Sequence, residues 1–320
     1  MKRSPTSLVA LLFLGVGLSW GASFLFIKVA VQGVSPVQLV LARTTLATLV
    51  LAVVMVLTKR RWPSGALAWR RILVLGVVGC AVPFLLYAWA GQRIPSGLSS
   101  IYNASVPVST TVLTVVAMRQ ETIRGRSVAG VVLGALGILI VLAPWRLGAE
   151  SFDLAGQVAC VGAVIGLGFA FAYTKKSLSP LRLDPVGIAF GQMLVAAALM
   201  ILIAPFTALT PVTLDLPITL SILLLSVLGT GFAYVWNFRV IDSWGAAPAS
   251  MVTYVTTLVG VGLGISVLGE PLTLNQLLGA LVVLGGVALG VSRPRVTPGT
   301  GVPASSSAQA SSQPGSGSSI

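Results

Sequence analysis

Arg43 is the residue of this chain with the most chemistry to offer. It lies about six residues inside the apolar stretch 37–57, hence ~9 Å deep at 1.5 Å per residue. No Asp or Glu falls inside an apolar stretch to neutralise it. A cation at that depth marks a functional site by default. Snorkelling to the interface, or bonding to helix-end carbonyls, is the structural alternative. A shift of 149 residues, the same shift that superposes Pro36 on Pro185, places Gln192 on Arg43. A long polar side chain therefore recurs at the equivalent depth of a second stretch.

Aromatic and polar-tipped side chains extend the candidate site. Trp20, Phe24 and Lys28 follow i, i+4, i+8 spacing on one helical stripe, and the counterparts of the first two are Phe169 and Tyr173. Tyr-x-Trp occurs at Tyr87 and Trp89 and again at Tyr234 and Trp236, with Tyr102, Asn103, Asn237 and Tyr254 as further polar-tipped groups. In apolar helices such groups turn toward partners inside the bundle. The set expected to line a cavity is Trp20, Phe24, Arg43, Tyr87, Tyr102, Asn103, Tyr173, Gln192, Tyr234, Trp236 and Tyr254. Packing against neighbours, or an interfacial aromatic belt, accounts for the same residues. Pro83 and Pro107 interrupt two stretches, and Gly229-Thr230-Gly231 falls where Pro83 falls in the first half. Broken helices at corresponding places point to a binding site, with Pro83, Pro107, Gly229 and Gly231 as its gating elements.

Several function classes lose their footing. There is no His, and the seven acids, Glu121, Glu150, Asp153, Asp184, Asp215, Asp242 and Glu270, fall at the ends of stretches or between them. Catalysis needs a nucleophile, base or metal cluster, so the expectation is no enzyme, no metal and no cofactor. Cys80 and Cys160 each lie within an apolar stretch, which implies neither a disulfide framework nor a metal site. No phosphate-cradling glycine loop of the GxxxxGK type occurs. The net charge of +13 sits in short clusters that never interleave with aromatics on a polar face, so no nucleic-acid partner is expected. Glu121 and Glu270 are read as caps or as partners for loop arginines.

These residues must be carried by membrane helices. Hydrophobic residues make up 56% of the chain and charged residues only 8%, too few to clothe a water-facing surface. Apolar stretches run near 8–28, 37–57, 72–92, 98–118 and 127–143, then 155–174, 186–206, 218–238, 246–268 and 275–292. The fold class expected is an all-α integral membrane protein, ten transmembrane helices in two inverted five-helix repeats. Five spans per copy give the second copy the opposite orientation. The repeat signal includes Glu121 on Glu270, Gly130 on Gly279 and Gly137 on Gly286 at the shift of 149.

The first span runs on without a small-residue cleavage site and reads as a retained helix. Lys59, Arg60, Arg61, Arg70 and Arg71, then Arg119, Arg124 and Arg126, then Lys175, Lys176 and Arg182 share one side, whereas Lys28, Arg93 and Arg146 lie on the other. By the positive-inside rule both termini are cytoplasmic and the location is the plasma (inner) membrane. The organisation expected is a cytoplasmic N-terminus 1–7, a first repeat 8–143, an outer linker 144–154, a second repeat 155–292 and a disordered Ser/Gly/Pro-rich cytoplasmic tail 293–320.

Trp20-Gly21-Ala22-Ser23-Phe24, Arg43, Pro107, Arg119-Gln120-Glu121 and the fuller Leu268-Gly269-Glu270-Pro271-Leu272-Thr273 together resemble the EamA family of the drug/metabolite transporter superfamily, over residues 8–292. Two departures stand out: Thr256 occupies the place of Pro107 in the second copy, and Met118-Arg119-Gln120-Glu121 lacks the Gly-Glu-Pro form. The resemblance implies a ten-helix basket around a central cavity that moves small metabolites or drugs, often outward. The expected function is thus a secondary transporter of small amphipathic metabolites, amino acids or drugs by alternating access. An exchanger of phosphorylated or nucleotide-linked sugars is the alternative within the superfamily, and a non-transporting structural or sensory membrane protein the alternative outside it. The partners are a small-molecule substrate and the lipid bilayer; oligomeric state is not written in the sequence.

Overall fold

A computed structural model describes residues 6–114, 125–143, 153–207, 209–244 and 252–290. The Arg119-Gln120-Glu121 box, most of the linker 144–154 and the tail 293–320 lie outside the described residues. Among those described, every regular element is helical: α1 Thr6–Ala30, α2 Pro36–Leu57, α3 Ala66–Gly76, α4 Val82–Gly91, α5 Ser96–Asn103, α6 Val106–Val112, α7 Gly125–Leu142, α8 Leu154–Tyr173, α9 Pro185–Thr207, α10 Leu216–Ser226, α11 Ala233–Trp244, α12 Val252–Leu268 and α13 Leu274–Gly290.

Six of these units are long and apolar enough to cross a bilayer: Ser7–Ala30, Pro36–Leu57, Ala66–Gly91, Leu154–Leu181, Pro185–Thr207 and Leu216–Asn237. Val128–Leu142, Val252–Leu268 and Leu274–Gly286 are shorter apolar helices.

Local chemistry sets where these helices begin. Ser35 and Gln38 form a reciprocal capping box ahead of α2, with Pro36 at its first turn. Asp153 accepts from the Gly156 amide at 2.7 Å and Asp215 from the Ile218 amide at 2.8 Å, so carboxylates open α8 and α10. Two units contain wide π turns in mid-helix, Val77–Ala81 between α3 and α4 and Val227–Phe232 between α10 and α11, and a third such turn, Thr174–Leu178, follows α8. In the first, Pro83 supplies the cause: it has no N–H, and its ring pushes against the carbonyl four residues earlier, that of Gly79, so the ladder loosens one turn upstream. Pro107 acts likewise on the carbonyl of Asn103, and the helix breaks at Ala104 and Ser105 between α5 and α6.

Contacts between helix ends sort into two groups. At one end of the bundle Lys28 Nζ donates to the Ile94 carbonyl, Glu270 accepts from Ser96 and Gly97, Arg93 pairs with Asp153, the Thr213 amide donates to the Gly33 carbonyl, and Gln38 Nε2 donates to the Thr210 carbonyl. At the other, Arg60 pairs with Asp184, Arg71 donates to the Ser177 carbonyl, and Trp62 meets Phe190 edge-on. Each contact joins residues that strict alternation of the spans places on the same side.

α7 and α13 pack closely along a glycine seam. A Cβ on Gly137 would stand 2.9 Å from the Gly279 carbonyl, and one on Gly286 would stand 2.8 Å from the Gly130 carbonyl. Only hydrogen fits at such a backbone approach. The pairing is reciprocal: Gly130 and Gly279 are repeat equivalents, as are Gly137 and Gly286, and each meets the equivalent of its partner's partner, as a two-fold axis requires.

Candidate functional site

The buried core runs from the apolar faces of α1 and α2 through α4 and α5 to α8 and α9, taking in Phe24, Tyr87 and Tyr102 among its side chains. Arg43 lies within this region and is 7% exposed. Its Nε donates to Thr230 Oγ1 at 2.8 Å, and its guanidinium carbon stands 3.7 Å from the centre of the Phe84 ring. Thr230 belongs to the π turn before α11 and donates in turn to the Leu225 carbonyl at 2.9 Å, an acceptor five residues back in that turn. Phe84 follows the other π turn by three residues. One cation thus touches both loosened helices, through a hydrogen bond on one side and a cation–π contact on the other.

Aromatic and polar groups surround this centre. Tyr234 lies beside Cys80 of the first π turn and meets Trp20 edge-on at 6.0 Å. Phe24 meets Tyr87 in the same manner at 5.4 Å, and the Tyr87 hydroxyl donates to Asn103 Oδ1 at 3.2 Å. Tyr102 donates to Gln157 Oε1 at 2.8 Å, and the Cys160 thiol donates to Ser99 Oγ at 3.7 Å. A polar seam therefore joins α4 and α5 to α8 inside an otherwise apolar interior. Gln192 is 6% exposed, and its side-chain amide has no partner among the described residues.

Other expected site residues are not gathered here. Tyr173 stacks on Phe169 at 5.2 Å and belongs to a separate cluster around Ile72, Leu75 and Leu178. Tyr254 packs with Ala104, Val108 and Val283, its buried hydroxyl without a partner among the described residues. Trp236 stacks with Phe232 at 6.0 Å and lies against Gly15. Pro83, Gly229 and Gly231 lie in or beside the π turns, and Pro107 opens α6. Thr230, Phe84 and Gln157 were not among the expected lining residues. Thr230 alone carried a signal, as a hydroxyl between two glycines in an apolar run.

Lys28 and Glu270 have structural work at the bundle end. Lys28 Nζ lies 2.9 Å from the Ile94 carbonyl and satisfies the C-terminus that follows α4. Glu270 accepts from the Ser96 amide at 2.7 Å, the Ser96 hydroxyl at 2.9 Å and the Gly97 amide at 2.9 Å. Its carboxylate caps α5 from the connection between α12 and α13, 173 residues away in sequence.

A helical bundle clothed in exposed Leu, Val and Phe, with its polar groups drawn inward around one cation, defines an integral membrane protein of the transporter kind. The chain belongs to the EamA-like transporter family, which it matches over residues 7–143 and again over 154–292. It is 26% identical over 279 residues to a protein of Archaeoglobus fulgidus named an uncharacterized transporter, covering 86% of this chain and 95% of that one. Protein PecM of Dickeya dadantii is 24% identical over 285 residues, covering 87% and 93%. A protein of Escherichia coli named a probable amino-acid metabolite efflux pump is 26% identical over 297 residues, covering 85% and 91%. A solved crystal structure superposes with a TM-score of 0.60 at 18% identity, covering 89% of this chain and 98% of the other, which shows a shared fold.

Proposed function

We propose that this transporter is a ten-span carrier of two inverted repeats, 8–143 and 155–292, which moves small amphipathic metabolites such as amino acids or drug-like solutes outward by alternating access. Both termini are cytoplasmic in the plasma membrane, with 1–7, 144–154 and 293–320 as N-terminus, outer linker and tail. The observation that carries the reading is the link from Arg43 on α2, in the first copy, to the π turn of Val227–Phe232 in the second. A buried polar bond from α2 of one copy to a loosened segment of the other is where a two-state rearrangement meets least resistance.

Two further observations support it. The reciprocal Gly130/Gly286 and Gly137/Gly279 contacts pair equivalent helices in antiparallel fashion, as inverted copies demand. The relative from Escherichia coli is named for amino-acid metabolite efflux. Phosphorylated cargo is less well served, because Lys28 is spent on the Ile94 carbonyl and the neutral Gln192 stands at the repeat equivalent of Arg43.

The test is uptake of a labelled amino-acid mixture into proteoliposomes. Wild-type protein is expected to give saturable flux. Arg43→Ala is expected to insert normally and to lose flux by tenfold or more, about the worth of one charge-assisted hydrogen bond. Vesicles that move no solute above empty liposomes overturn the carrier reading, and normal flux in Arg43→Ala removes Arg43 from the site.

A further inference from the structure

We infer that the cargo binds through a carboxylate, which docks on the two terminal nitrogens of Arg43 and supplies the counter-charge the helices withhold; this rests on the carrier reading above. A buried guanidinium needs a partner for its charge as well as acceptors for its five N–H groups. The described residues provide one acceptor, Thr230 Oγ1 on Nε. The four terminal N–H groups have no acceptor among the described residues. Nor are those nitrogens sealed in, because Arg43 is absent from the buried, unpartnered atoms that include Thr45 Oγ1, Ser105 Oγ and Thr256 Oγ1. They keep a little accessible surface inside a residue that is otherwise buried.

The acids whose side chains are described are engaged elsewhere. Asp153 pairs with Arg93 and caps α8, Asp184 pairs with Arg60 and accepts from the Val186 amide, Asp215 caps α10, and Glu270 caps α5. The Phe84 ring spreads the charge over one face of the guanidinium and leaves its edge free. That edge, with two parallel N–H vectors, matches the two oxygens of a carboxylate.

The stoichiometry of charge selects among anions. The repeat equivalent of Arg43 is the neutral Gln192, and Lys28 is committed to the Ile94 carbonyl at the bundle end. One positive charge balances one carboxylate, whereas a phosphate monoester brings close to two negative charges at neutral pH. Phe84 and the Trp20–Tyr234 pair give the surroundings of this centre an aromatic character that suits an apolar or aromatic remainder.

The experiment titrates purified full-length protein in detergent with phenylacetate, phenylacetamide and phenyl phosphate, following intrinsic tryptophan fluorescence. Phenylacetate is expected to bind tighter than its amide by about tenfold or more, and tighter than phenyl phosphate. Arg43→Gln is expected to erase the acid-over-amide preference, and Arg43→Lys to keep part of it. Equal affinity for acid and amide, no binding of the acid, tighter binding of the phosphate, or an unchanged preference in Arg43→Gln each overturns the inference. The acid–amide comparison is made on wild-type protein, so a misfolded variant leaves the test intact. Carboxylate preference without flux in proteoliposomes keeps the site and removes the carrier. Flux without that preference keeps the carrier and removes the site.

Discussion

At the scale of the residue, the Arg43–Thr230 bond is the interaction on which most depends. Its Nε–H has one acceptor, 187 residues away in the chain. Thr230→Val preserves shape and removes that acceptor, leaving a desolvated donor on a charged group. The expected loss is about 1–3 kcal/mol of stability, with a fall in flux, while Thr230→Ser retains both. Thermal unfolding in detergent beside proteoliposome uptake checks this; a Thr230→Val protein as stable and active as wild type would show that the bond contributes nothing. The depth of Arg43 was legible in the sequence because a cation in an apolar run is conspicuous. Its partner was not, since nothing local distinguishes Thr230 from the other hydroxyls of apolar helices, which bond back to their own carbonyls as Thr44 and Thr48 do.

At the scale of the element, ends and breaks decide the layout. Glu270 satisfies three donors at the start of α5, so Glu270→Ala is expected to destabilise the protein by about 1–2 kcal/mol. Glu270→Gln, which keeps one acceptor oxygen and adds an amide NH2 facing N–H groups, should fall between the two, as denaturation midpoints will show. On the α7–α13 seam, Gly279→Leu forces a side chain against the Gly137 carbonyl and Val141 and is expected to cost about 1–3 kcal/mol or more. The same change at Gly262, where a Cβ meets nothing within 4 Å, should be mild, and equal effects at the two sites would refute the seam.

Helices that open on Pro and a capping side chain, α2 and α9, start within a residue of the sequence reading. Ala66–Gly76 starts six residues ahead of the expected 72, because Trp69-Arg70-Arg71 reads as a polar boundary while the backbone hydrogen bonds continue through it. The same holds at Lys175 and Lys176, where α8 runs on as a wide turn to Leu178. Composition marks where a helix leaves lipid, and the hydrogen-bond ladder is indifferent to that boundary.

At the scale of the whole molecule, the two groups of end contacts predict how the carrier moves. Gln38 and Thr210 join the copies at one end, and Arg60 and Asp184 join them at the other. Alternating access requires each set to part in turn, since a cavity open at both ends would be a channel. Cysteines at Gln38 and Thr210, or at Arg60 and Asp184, bridged by a short bis-methanethiosulfonate, hold one end shut. The native thiols Cys80 and Cys160 are buried and are replaced by Ala to keep the chemistry at the chosen pair. Either bridge alone is expected to stop flux, because a carrier locked in one state completes no cycle, and a reductant should restore it. A single helix strapped to its neighbour at the rim of a rigid pore would leave conduction intact. Continued flux through protein bridged at both ends would therefore exclude alternating access while leaving the membrane bundle itself unquestioned.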